Sequence, residues 1–95
     1  MNIKAVFMHM GLIIGDFKEN MDGTYTIKNP VLFVAKERTA TFAPFLNMME
    51  EDEITVDKND CFFKQVFTPA VNLRNEYNRI FGSGIIEAAS NLELK

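Results

Sequence analysis

The sequence predicts a mainly β protein: a small, strongly bent five-stranded antiparallel barrel followed by one C-terminal α-helix. Three observations carry that reading. Apolar residues recur in short alternating or continuous runs up to about residue 67, with Gly at the bends. Asp22-Gly23 lies between two β-rich runs, which is a hairpin signal. Beyond Thr68-Pro69 the apolar spacing changes to 3.6 residues, the period of a helix with one buried stripe.

The first run, residues 3–9, alternates loosely and holds Ile3, Val6 and Phe7. Gly11 opens the second, Leu12-Ile13-Ile14, with Gly15 and Phe17 beyond. A Gly inside a strand marks a bulge or tight bend, which lets a small sheet curl. Asp22-Gly23 then predicts a hairpin of the I′ kind, with positive φ at both central residues. The third run spans Thr24 to Ala35. Its first part alternates as a half-buried strand does, and Val31 to Ala35 is apolar on both faces, which predicts burial on both sides. Pro30 cannot donate to a ladder and belongs at an edge or a bend.

Residues 39–49 are again β-like, with Pro44 confining them to an edge, a bulge or a strand start. Ile54-Thr55-Val56 alternates, Asp57 to Asp60 is a turn by composition, and Cys61 to Phe67 supplies a last short strand. Thr68 as N-cap and Pro69 at the first helical position start a helix whose stripe is Ala70, Leu73, Tyr77 and Ile80, with Gly82 as its stop. The expected division is a barrel over 1–68, a helical segment over 69–84 packed on it, and a tail over 85–95 that is frayed or forms one more helical turn. All three belong to one domain. Closure suits a chain this rich in Phe, Val and Ile, because an open edge invites edge-to-edge pairing.

Composition bounds the function. The 95 residues are 47% hydrophobic and 24% charged, a globular balance with enough apolar surface for one modest core. The net charge of −3 is the wrong sign for gripping phosphates over a whole face, and leaves only a local basic patch for that role. Acidic excess concentrates in Glu50-Glu51-Asp52-Glu53, which reads as a solvated segment or, alternatively, an element of recognition or repulsion. The single thiol, Cys61, excludes an internal disulfide and suits a reducing compartment, so a cytoplasmic location is expected. Val31 to Ala35 is the longest apolar run, too short to cross a bilayer, and no signal peptide is evident in the first residues.

Chemistry is equally constrained. His9 and Cys61 are the only His and Cys, each without a partner motif, so neither nucleophilic catalysis nor a His/Cys metal site is expected. Asp57-x-Asn59 lacks the rest of a calcium loop, and Gly82-Ser83-Gly84 lacks the lysine of a phosphate cradle. The chain reads as a non-enzyme without cofactors. Six Met, at 1, 8, 10, 21, 48 and 49, fill core gaps or subunit contacts on one reading and line an adaptable groove on the other.

With those elements in place, residues 5–67 resemble the Sm/Sm-like family, small bent barrels that assemble into RNA-binding rings. Gly11-Leu-Ile-Ile-Gly15-Asp-Phe17 is similar to the family's first motif, in which a Gly turns strand one into strand two. Ile54 to Cys61 is similar to the second, where an apolar strand meets a tight turn. Lys28-Asn29-Pro30, Phe42-Ala-Pro-Phe45 and the closing Asn75 to Ile85 further resemble the Sm-like proteins of marine tailed bacteriophages.

The resemblance implies a cyclic homo-oligomer of about five to seven subunits, with strand four of one copy against strand five of the next. Phe62, Phe63 and Phe67 would then lie at the subunit interface. It also implies short single-stranded RNA at the ring's central face. Tyr25 would supply the stacking plane, Asp22 and Asn59 hydrogen bonds, and Lys58, with Lys28 nearby, charge. Tyr25 has an equal second reading as a cross-strand partner at the hairpin, and Asp57 to Asp60 reads rather more readily as a plain solvated turn. Where the family presents Arg-Gly in the RNA-contacting turn, this chain has Asp57-Lys58, and Thr26 stands in place of an Asn. Those departures keep a second function open: a phage-encoded adaptor ring that binds a host or phage protein.

Overall fold

The computed structural model describes residues 1–81 and, as backbone, 90–93. Strands β1 (Ile3–Met8), β2 (Gly11–Glu19), β3 (Thr24–Lys36), β4 (Thr39–Pro44) and β5 (Glu53–Asp57) precede helix α1 (Val71–Phe81). Strand β6 (Ser90–Glu93) follows it. The sheet runs β1-β2-β3-β4-β6, with β5 paired to β3, and every pairing is antiparallel.

The long, bent β3 organises the sheet. Its first half, Thr24 to Lys28, pairs with β5, and its second, Val31 to Lys36, pairs with β4, while β2 follows both halves. Two residues make the turn between the halves. Asn29 takes a positive φ of 49°, and Pro30, fully buried, follows it. Opposite them the β2–β3 register slips between Ile14 and Asp16. Gly15 sits in that slip because a Cβ there would collide with the Ile27 methyl and lie 3.1 Å from the Lys28 carbonyl oxygen. The proline is therefore at a bulge, as a prolyl residue in a central strand must be.

The kink moves side chains between faces. Before it, Tyr25 and Ile27 join Val6, Ile13, Phe17 and Cys61 in one buried cluster. After it, Val31 joins Ile3, Ala5, Ile14, Phe42, Tyr77 and Ile80 in the other, with Phe33 packed against it, while Leu32 packs on the first cluster. The central strand thus contributes to a cluster on each face, and the core is divided in two. Of the apolar run only Val31 is buried; Leu32 to Val34 are half-buried and Ala35 is exposed, so the expected burial on both sides holds only in part. Helix α1 covers one cluster. Tyr77 and Ile80 are buried and Leu73 is half-buried, so the stripe faces the sheet over those three, while Ala70, its expected first member, is exposed and precedes the helix. The Tyr77 hydroxyl donates to the carbonyl oxygens of Asn29 (2.8 Å) and Lys28 (3.1 Å), tying the helix to the bend of β3.

Five strands do precede the helix, but residues 39–44 are one of them, ending rather than starting at Pro44, and Cys61 to Phe67 is not. That segment forms a 3₁₀ turn at Phe62–Lys64, with Phe63 at φ 65° and Lys64 at φ 49°. It returns to β1 through one bridge, in which Ala5 and Phe67 exchange backbone hydrogen bonds of 2.8 Å. One bridge is no ladder: the sheet is strongly curled but not closed as a barrel.

The hairpin at Asp22-Gly23 is present, yet only Gly23 has a positive φ (86°). Residues 20–23 form a four-residue loop rather than a two-residue I′ turn. Thr68 does not cap α1; its hydroxyl accepts from the Lys4 ammonium at 2.8 Å, and the helix starts beyond Ala70. Residues 90–93 of the expected tail pair with β4, Thr39 opposite Glu93, so that part is a strand. The expected stop at Gly82, and the rest of 82–89, lie outside the described residues. Met1, Met10, Met21, Met48 and Met49 are exposed, which removes them from the core and leaves the surface-contact readings. Among the described residues no helix is long and apolar enough to cross a membrane.

Candidate nucleic-acid interface

Antiparallel pairing of β3 with β5 sets Thr24 opposite Asp57, and so brings the turn before β3 beside the turn after β5. The two are joined directly: the Lys58 N–H donates to the Gly23 carbonyl at 3.1 Å. Asp22, Lys58 and Asn59, distant in sequence, therefore share one rim of the sheet, and all three are exposed.

Each turn is ordered by its own carboxylate. Asp22 Oδ1 accepts from the Thr24 hydroxyl (2.6 Å) and the Thr24 N–H (3.1 Å), closing an Asx-type turn. Those bonds, the hydroxyl's first, hold the Asp22 carboxyl below its ordinary pKa of 3.8. Asp57 Oδ1 accepts from the Asn59 N–H at 2.8 Å and caps the 3₁₀ turn Lys58–Asp60. Asn20 Nδ2 donates to the Thr24 and Thr26 hydroxyls at 3.0 Å, so Thr26 is occupied in bracing the hairpin.

Tyr25 is not on this rim. It is 8% exposed, its ring 5.9 Å from that of Phe17, and the little that shows lines a recess with Lys4 and Glu19. The cross-strand packing reading describes it. A ring in that position offers no free plane for a base. Lys28 lies 3.9 Å from Asp52 in an exposed pair, which leaves Lys58 as the cation of the rim without an ion pair among the described residues. Three exposed carboxylates belong to the same two turns: Asp22, Asp57 and Asp60.

Cys61 follows directly, buried, its thiol 3.7 Å from the Asp57 carbonyl. Burial first, then the charges of Asp60 and Asp57, push that thiol above its ordinary pKa, which suppresses the thiolate.

Of the interface candidates, Phe63 and Phe67 meet. Phe67 is half-buried, with its ring centroid 6.1 Å from that of Phe63 and 5.4 Å from that of Phe7. Phe7 and Phe63 are also 6.1 Å apart, and all three contacts are edge-on. Phe62 (51% exposed) and Phe63 (75%) stand out from the surface. Phe7 belongs to this patch although the sequence reading placed it only in a strand. Its signal is the outward position in β1, between inward Val6 and half-buried Met8. Among the described residues no group of three or more His, Cys, Asp or Glu side chains is placed to hold a metal ion.

No family model matches the sequence, and no curated protein matches it.

Proposed function

We propose that this chain is a ring-forming subunit of the Sm-like type that binds short single-stranded RNA at the rim built by the turns at 20–23 and 57–60. The observation that carries the reading is the Lys58–Gly23 hydrogen bond, which makes one surface of two turns and repeats it once per subunit in a cyclic assembly. Assembly itself is supported by two features. The outer side of β1 carries a single bridge, and that of β5 no ladder among the described residues. Phe62 and Phe63 are exposed beside that opening, where burying one Phe contributes about 1.5–3 kcal/mol.

In this reading Lys58 supplies charge and Asn59 with Asp22 supply hydrogen bonds. Tyr25 packs the hairpin. A single lysine per subunit gives a weak, salt-sensitive grip: binding of short A-rich or U-rich RNA at low salt should weaken as salt rises and fall further in Lys58→Ala, with Tyr25→Ala acting only through stability. No binding by the wild-type ring at low salt refutes the RNA part.

One observation favours the second reading, a protein-binding adaptor ring. Asp22, Asp57 and Asp60 outnumber Lys58 on the rim, and a ring of six copies would carry about −18 overall. Failure of RNA binding with an intact ring would select it.

A further inference from the structure

A second surface lies away from the rim, where the bend of β3, the end of β4 and the last turn of α1 meet. Pro30, buried, and Pro44, Leu46 and Phe81, half-buried, make the apolar floor of a partly open pocket of 160 Å³. Ligand sites for whole small molecules usually run to roughly 300–1,000 Å³, so this volume suits a single side chain. The pocket's outer wall is the segment from Met49 to Asp52. That wall is held in place at both ends: the Asn29 N–H donates to the Asp52 carbonyl at 2.7 Å, and the Met49 N–H to the Leu46 carbonyl at 3.0 Å. Glu50 and Glu51 line the mouth, and neither makes an ion pair among the described residues.

We infer that this pocket receives one arginine side chain from a basic segment of a partner protein. An arginine has the two parts the pocket asks for. Its methylene stem matches the floor of Leu46, Pro44 and Phe81, and its guanidinium, more weakly hydrated than an ammonium, meets Glu50 and Glu51 at the mouth. Charge complementarity selects the occupant: Asp52 on the same rim is paired with Lys28, but Glu50 and Glu51 have no ion pair among the described residues, so the pocket rejects an acidic segment and gains little from a neutral one. The site shares no residue with the rim of Lys58, so it stands or falls apart from the RNA reading.

The test uses the full chain and a short labelled peptide, Gly-Leu-Arg-Leu-Gly, followed by fluorescence anisotropy. Saturable binding is expected at low salt. It should weaken at least tenfold when citrulline, which keeps the shape and removes the charge, replaces the arginine. The double change Glu50→Gln with Glu51→Gln should weaken it as much, as should Leu46→Trp, which fills the pocket without altering charge. Because Leu46→Trp is able to disturb folding, Met49→Lys at an exposed position serves as a second block by placing a cation at the wall. Glu19→Gln with Glu37→Gln removes two exposed carboxylates elsewhere and should leave binding unchanged. Three results overturn the inference: no binding by the wild-type chain, equal binding of the citrulline peptide, or equal loss in the Glu19/Glu37 control.

Discussion

Changing Tyr77 to Phe tests how the helix is fixed to the sheet. The side chain is fully buried, with its ring 4.7 Å from Phe81, and its hydroxyl donates to the carbonyls of Asn29 and Lys28. Phe keeps the ring and its packing and removes only that donor. Two carbonyls at the kink of β3 lose it, and a buried group deprived of its partner costs about 1–3 kcal/mol. For a domain of this size each kcal/mol lowers the melting temperature by about 4–8 °C. The variant and the parent should be compared by thermal and urea denaturation at one fixed chain concentration, since assembly couples to stability. A drop of about 4 °C or more is expected. An unchanged midpoint would refute the reasoning, because the hydroxyl would then not be tying α1 to the bend. Leu73, half-buried, is the weaker anchor, and Leu73→Ala should cost less than Tyr77→Ala, for which about 3–5 kcal/mol is the usual range.

Burial, and next the charge of Asp16, raise the Tyr77 phenol well above its ordinary pKa of 10.0. The folded chain then holds that proton where the unfolded chain releases it, so the stabilisation is complete below about pH 10 and is lost as pH rises through the folded value. Alkaline titration of stability should therefore fall less steeply in Tyr77→Phe, and parallel curves for the two chains would contradict this. Cys61, buried and with its thiol pKa raised, should react slowly with a thiol reagent at neutral pH and rapidly once denatured; rapid labelling of the native protein would place it at the surface. Gly15→Ala should destabilise by about 1–3 kcal/mol in a denaturant titration, because its Cβ meets the Ile27 side chain and the Lys28 carbonyl, and a neutral result would mean the bulge is loose.

The local rules that rest on period and backbone freedom read this chain well. Alternation located β1 and the first half of β3, and continuous apolar runs located β2 and the second half of β3. The 3.6-residue stripe gave Tyr77 and Ile80 their buried face, and Asp22-Gly23 marked the hairpin. Reading failed where long-range contacts decide. Cys61 to Phe67 has the composition of a strand, yet only Phe67 finds a backbone partner in β1, and Phe63 and Lys64 take left-handed conformations instead. Thr68 has the chemistry of a cap, but Lys4, sixty-four residues away, takes its hydroxyl. At the candidate site, composition identified the two turns that meet, since Asx chemistry is local. It left open whether Tyr25 faces out or in, because a tyrosine at a hairpin suits both, and packing against Phe17 settles its place as inward.

Ring assembly is tested directly by molar mass from light scattering behind a sizing column, at micromolar concentration and physiological salt. The chain is 10.9 kDa, so a closed ring of five to seven copies should elute as one species of about 55–76 kDa. Replacing Phe62 and Phe63 by Ser should shift it toward the monomer. A wild-type mass of 10.9 kDa throughout the concentration range would contradict the ring, and with it both readings of the rim.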